Sequence, residues 1–164
     1  MKLWPTTEDT LNKNLTRALY ALPVLALLAC GKAEKLSKHC EEAIAAKYCD
    51  PDGKKCRVEV EISSCDAGPK FTPDTLYVCK KTTKITWTLS ASASAADAKF
   101  AGNGIDFKGN PEFYDGHGTN TTFVWIDKHS KADADPPQSY GYGVHILKKD
   151  ASLCYEKDPL VINE

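Results

Sequence analysis

Three periodicities follow one another along this chain. Residues 18–29 (ALYALPVLALLA) are an almost unbroken apolar run with no polar stripe. Residues 33–47 (AEKLSKHCEEAIAAK) set Leu36, Cys40 and Ile44 four apart, which predicts a short helix with one narrow apolar face. From Arg57 onward the period falls to two. Val58, Val60 and Ile62 alternate with Glu59, Glu61 and Ser63, predicting a strand with one wet face. Leu76 and Val78 continue the pattern, then Ile85, Trp87 and Leu89, then 122–126 (TFVWI), then 140–146 (YGYGVHI). Turn chemistry separates them at 66–69 (DAGP), 102–104 (GNG), 115–118 (DGHG) and 135–137 (DPP). Many short strands, polar turns and no long helix predict an antiparallel β-sandwich.

The apolar run is too short to span a bilayer, which takes roughly 20 residues. Lys2, Lys13 and Arg17 precede it, as in the basic region of a secretory signal, and Pro23 would break a soluble helix at its centre. The run ends at Leu27-Leu28-Ala29-Cys30, which resembles the lipobox of bacterial lipoproteins. The resemblance implies cleavage before Cys30, acylation of Cys30, and a bilayer anchor of more than one acyl chain, stable where a single chain is marginal. Gly31, where inner-membrane retention would place Asp, leans towards the outer membrane, facing the periplasm.

Cysteine arithmetic points the same way. The chain has seven cysteines, and setting Cys30 aside as the lipid carrier leaves Cys40, Cys49, Cys56, Cys65, Cys79 and Cys154. Six in an exported domain of this size predict three disulfides. Cys40 and Cys49 cannot pair within one straight helix, because nine residues rise ~13 Å and bonded Cα atoms lie under ~7 Å apart. The turn at 50–53 (DPDG) returns the chain so that Cys56 can approach Cys40 or Cys49, stapling the helix to itself or to the first strand. Three segments follow: a signal at 1–29, a lipidated start and Cys-containing helix at 30–56, and a sandwich at 57–164. Residues 1–29 hold three of the 21 basic and two of the 22 acidic residues, which leaves 18 against 20. Arg57 is the one arginine after them, and Arg is the residue of choice for phosphate and base-edge contacts, so nucleic acid is not an expected partner. Lys80, Lys81 and Lys84 read as a solvated strand end.

Residues 71–90 (FTPDTLYVCKKTTKITWTLS) carry Phe-x-Pro, a Leu-x-Val strand, a turn and an Ile-x-Trp strand. This opening is similar to that of the cupredoxins, and 140–146 resembles their late Tyr-x-Tyr strand. The likeness implies a Greek-key sandwich. It does not extend to blue copper, which takes two His, a Cys thiolate and commonly an axial Met. The single Met is Met1, no His follows the Trp87 strand, and Val144 follows the Tyr strand where a Cys is needed.

Candidate chemistry is sparse. His117, His129 and His145, with Asp115 and Asp127 nearby in sequence, form the alternative ligand set for copper or zinc, in a cupredoxin-like frame with non-standard ligands. No nucleophile elbow, phosphate-binding glycine loop or His-Glu-x-x-His helix occurs, and Asp106, Glu112 and Asp115 are explained as soluble loop residues, so neither an enzyme nor a cofactor is expected. The expectation is a non-catalytic envelope lipoprotein presenting loops to an envelope protein or glycan. The Ser90–Lys99 and Asn110–Thr121 connections are the candidates, with Phe113, Tyr114 and His117 as contact residues.

Overall fold

The computed structural model describes residues 36–91, 97–130, 136–157 and 159–164. The apolar run, Cys30, the centre of the Ser90–Lys99 connection and Asp135 lie outside the described residues. Residues Glu34–Glu164 form one compact unit, and among the described residues it contains the apolar core and three disulfides.

Helix α1 (Lys38–Ala45) begins where local chemistry allows. Ser37 is extended and its Oγ accepts from the Cys40 N–H at 3.1 Å, while Glu41 complements the dipole in the first turn. The helix is shorter than the 33–47 pattern because Ser37 caps it and Lys47, at φ 62°, leaves helical space. Eight residues are marginal alone in water, so α1 depends on what it buries. Cys40 and Ala43 face inward, and Cys40 is bonded to Cys79. This staple joins α1 to the segment after β3 (Thr75–Val78), a pairing outside the options the 50–53 turn left open. Cys56 takes Cys49. Their turn is closed by Asp50, whose Oδ1 accepts from the Lys54 and Lys55 N–H groups at 2.8 and 3.1 Å. The third bridge joins Cys65 to Cys154.

The chain is mainly β. A five-stranded sheet has the order β2 (Pro69–Thr72), β1 (Lys55–Ile62), β4 (Thr83–Ala91), β7 (Thr122–Asp127), β6 (Phe113–Gly118). β1 buries Cys56, Val58, Val60 and Ile62 and β4 buries Thr83, Ile85, Trp87 and Leu89, so a one-residue slip of either strand would turn its whole apolar set to water. Three-stranded ladders follow: β3–β11 (Leu160–Asn163)–β8 (Gln138–Gly141), and β10 (Leu153–Lys157)–β9 (Gly143–Leu147)–β5 (Lys99–Asp106). These two ladders share a hairpin. Val144 opposes Lys157, and three residues on along each strand Gly141 opposes Leu160, with the Tyr142 N–H donating to the Pro159 carbonyl at 3.1 Å across the break. Inward residues of the large sheet and of the ladders form a single apolar cluster.

The strands are not wholly antiparallel. β1 pairs with β4, and β3 with β11, in parallel. The chain returns along β2 and β3 before β4 begins, so β4 starts at the same end as β1. Two expected turns are also absent. The 102–104 glycines lie inside β5, where a Cβ on Gly104 would stand 2.6 Å from Phe100, and the 115–118 stretch lies inside β6. Both strands are bulged there, between Phe100 and Ile105 and between Tyr114 and His117.

The Cys40–Cys79 bridge closes a separation of 39 residues. Constraining such a loop stabilises by about 4 kcal/mol on the loop-closure relation. The Cys40→Ala/Cys79→Ala variant of the Glu34–Glu164 unit is expected to lose ~2–4 kcal/mol in urea unfolding. The parent unit, denatured without reductant, is expected to bind no thiol reagent.

Candidate functional site

The expected contact loop at 110–121 is largely strand β6, and its three named residues separate. Phe113 turns inward at 4% exposure, stacks on Phe107 with centroids 3.6 Å apart, and meets Tyr140 edge-on at 5.3 Å. It belongs to the core and leaves the contact set. Tyr114 is 39% exposed, with Lys128 Nζ 5.6 Å from its ring centroid. His117 is exposed, and its Nδ1 lies 2.7 Å from the Asp115 carbonyl. The glycine between them serves close approach: a Cβ on Gly116 would stand 2.3 Å from the Trp125 indole, so β6 can lie against that ring only without one.

Register assigns the outer face of the five-stranded sheet row by row. One row runs Lys55, Lys84, Ile126, Tyr114, and the next runs Arg57, Thr86, Val124, His117. A third runs Thr72, Glu59, Thr88, Thr122, and a fourth Lys70, Glu61, Ser90. The face thus changes from two rows whose charges are all cationic to rows carrying Glu59 and Glu61, the latter opposite Lys70, with hydroxyls between. Lys84 was legible in the sequence as basic, but the parallel β1–β4 pairing that sets it beside Lys55 was not.

Behind this sheet, at the end of β7, lies a buried polar cluster the sequence did not reveal. Asp127, His129 and Asn163 are sealed from solvent, and Glu112 nearly so. Asp127 Oδ1 accepts from the His129 N–H at 2.7 Å and from Asn163 Nδ2 at 3.2 Å. Glu112 accepts from the Ser130 N–H and from its hydroxyl. Asp127 Oδ2, Asn163 Oδ1 and both His129 ring nitrogens have no hydrogen-bond partner. Burial pushes the Asp127 carboxyl up to about 6, against the pull of its two hydrogen bonds and with Glu112 adding to the rise. Burial holds the His129 imidazole below its ordinary value, opposed by the nearby main chain of Lys80 and Glu164.

The three histidines expected as alternative metal ligands are not brought together. His117 is on β6 of the large sheet, His145 on β9 of a ladder, and His129 inside the cluster. Among the described residues no three His, Cys, Asp or Glu converge to hold a metal ion. Of the acidic trio, Glu112 is turned to Ser130, and Asp106 Oδ1 accepts from the Lys108 N–H at 2.7 Å. Helix α1 contributes one site the sequence passed over: His39 stacks on Tyr77 at 4.4 Å and places Nδ1 2.6 Å from Glu164 Oε1. No protein-family model matches this chain, and no curated protein matches it.

The Asp127 shift has a sign. The folded state holds that proton more tightly than the unfolded chain, so stability falls as pH rises from about 4 through about 6. The lowered His129 acts oppositely, losing stability as pH falls below 6.5, and that contribution is common to parent and variant. Asp127→Asn keeps the acceptor for both hydrogen bonds but removes the charge. It is expected to exceed the parent in stability at pH 8 by up to about 3 kcal/mol, with the difference vanishing near pH 4, in urea unfolding across that range.

Proposed function

We propose that this chain is a lipid-anchored protein of the bacterial cell envelope, tied to the bilayer through acylated Cys30 after loss of residues 1–29. Its domain is a non-catalytic binding module facing the periplasm, held on the outer membrane. The observation that carries this reading is the cysteine pairing. The three disulfides use six of the seven cysteines, and the one outside them is Cys30, directly after Leu27-Leu28-Ala29. Three bridges fit an oxidising compartment, and a lipid thioether fits the cysteine that remains.

For the finer fold, the reading is a Greek-key sandwich of cupredoxin type without a blue-copper centre. It is supported by the order β2–β1–β4–β7 in the large sheet, and by β3 and β5 flanking the long hairpin in the ladders. The passage of the chain from β2 in one sheet to β3 beside β11 supports it too. Recognition of an envelope protein or glycan then falls to the exposed exterior, where Tyr114 and His117 sit on the β6 edge.

In bacteria expressing the full chain, Cys30→Ala is expected to abolish processing and to move the protein out of the membrane fraction or leave it as uncleaved precursor. The check is electrophoretic mobility with detergent phase partitioning. Unchanged cleavage and partitioning in the variant would remove the anchor from this account.

A further inference from the structure

We infer that the cationic end of the outer sheet face is a docking surface for anionic phospholipid headgroups. The inference rests on the anchored reading for the bilayer's presence, and on the sheet's own register for the rest. Lys55 and Lys84 stand directly opposite each other on β1 and β4, an arrangement that like charges disfavour. Arg57 follows Lys55 on the same face, and Lys47 projects from the end of α1. All four are exposed, and among the described residues none of them has a carboxylate within 4.0 Å. A fold gains nothing internally from setting unpaired cations side by side; an external anion gives them a partner.

The geometry around them fits a headgroup better than a free ion. An open groove of about 640 Å³ lies over the Cys49–Cys56 bridge, with Ile44, Tyr48 and Pro51 as apolar lining and Lys47, Lys55 and Arg57 as its cations. The one carboxylate lining it, Asp50, has Oδ1 occupied by the Lys54 and Lys55 N–H groups. Guanidinium and ammonium groups suit a phosphodiester, and the apolar lining suits the glycerol and upper acyl chain beside it.

Position agrees with this. Ser37, which caps α1, is seven residues after Cys30, a reach of about 25 Å when extended, so a lipid on Cys30 would hold the start of α1 within that distance of the bilayer, with the groove about one eight-residue helix length, ~12 Å, farther along. Glu59 and Glu61 occupy the rows farther along the same face. Lys70 stands opposite Glu61 there, so the unbalanced positive charge of this face lies in its first two rows, and an anionic surface favours that end.

The test uses the Glu34–Glu164 unit, which lacks Cys30 and the apolar run and retains the core and its bridges. It is sedimented with vesicles of phosphatidylcholine, alone or mixed with phosphatidylglycerol, at low and high salt. Binding is expected to the mixed vesicles only and to fall as salt screens the charges. Lys55→Gln/Lys84→Gln is expected to weaken partitioning by about twenty-fivefold, at about fivefold per cation. Its melting temperature is expected to be equal or higher, because the repulsion between the two is gone. Lys148→Gln/Lys149→Gln, on the β9–β10 turn, is expected to bind as the parent does. Binding to neutral vesicles as well, no binding to either, or equal loss in both double variants would overturn the proposal. So would capture of polyglutamate by a unit that ignores anionic vesicles. Because no lipid on Cys30 enters this assay, its failure and that of the anchor are read separately.

Discussion

Deep in the core the Trp87 indole N–H donates to the Tyr142 hydroxyl at 2.9 Å, with both side chains essentially out of contact with water. A buried donor left without its acceptor costs about 1–3 kcal/mol, so this one contact fixes how β4 of the large sheet sits against the hairpin of the ladders. The same burial drives the Tyr142 hydroxyl well above its ordinary pKa. Phe107 packs against Trp87, Tyr142, Phe113 and Trp125, and the Trp125 indole donates to the Ile105 carbonyl at 2.9 Å. With the aromatic side chains committed to each other, Phe113 is drawn in and Tyr114, its neighbour in the strand, must face out. The interior joins the sheets, and Tyr114 is left on the exterior.

At one end of the fold, polar groups do the joining. Asn163 of β11 reaches Asp127 of β7, and Glu112 holds Ser130. On the same segment as Asn163, Glu164 receives the Ser37 hydroxyl and His39 of α1. The last strand is thus tied to both the large sheet and the helix, with the Cys40–Cys79 bridge as a covalent parallel. Several buried polar atoms there lack partners, so this end is held at an electrostatic cost that titration can reveal.

The sequence was readable where apolar residues alternate and the interaction is local. The β1, β4 and β7 strands follow Val58–Ile62, Ile85–Leu89 and the 122–126 run, and the Cys49–Cys56 closure lies among the options that the 50–53 turn leaves open. It was unreadable where glycine has two meanings. Gly104 and Gly116 read as turns, yet each is small because a ring lies against it. Long-range facts were hidden as well: the Cys40–Cys79 pairing, the parallel β1–β4 register that makes neighbours of Lys55 and Lys84, and the burial of Asp127 and His129, residue types that ordinarily mark a wet surface. Strands β10 and β11 escaped notice because Leu153–Lys157 mixes polar and apolar residues and their partners lie in other strands.

The proposed anchoring gives these features a common setting: a disulfide-stapled domain outside the reducing cytoplasm, with a cationic end close to where the chain would meet a bilayer. Intact mass spectrometry of the chain extracted from bacterial envelopes tests it most directly. The account predicts the mass of residues 30–164, less six hydrogens for the three bridges, plus a thioether-linked diacylglyceryl group and an amide-linked acyl chain. A mass that begins at any other residue, or that carries no lipid, would contradict it.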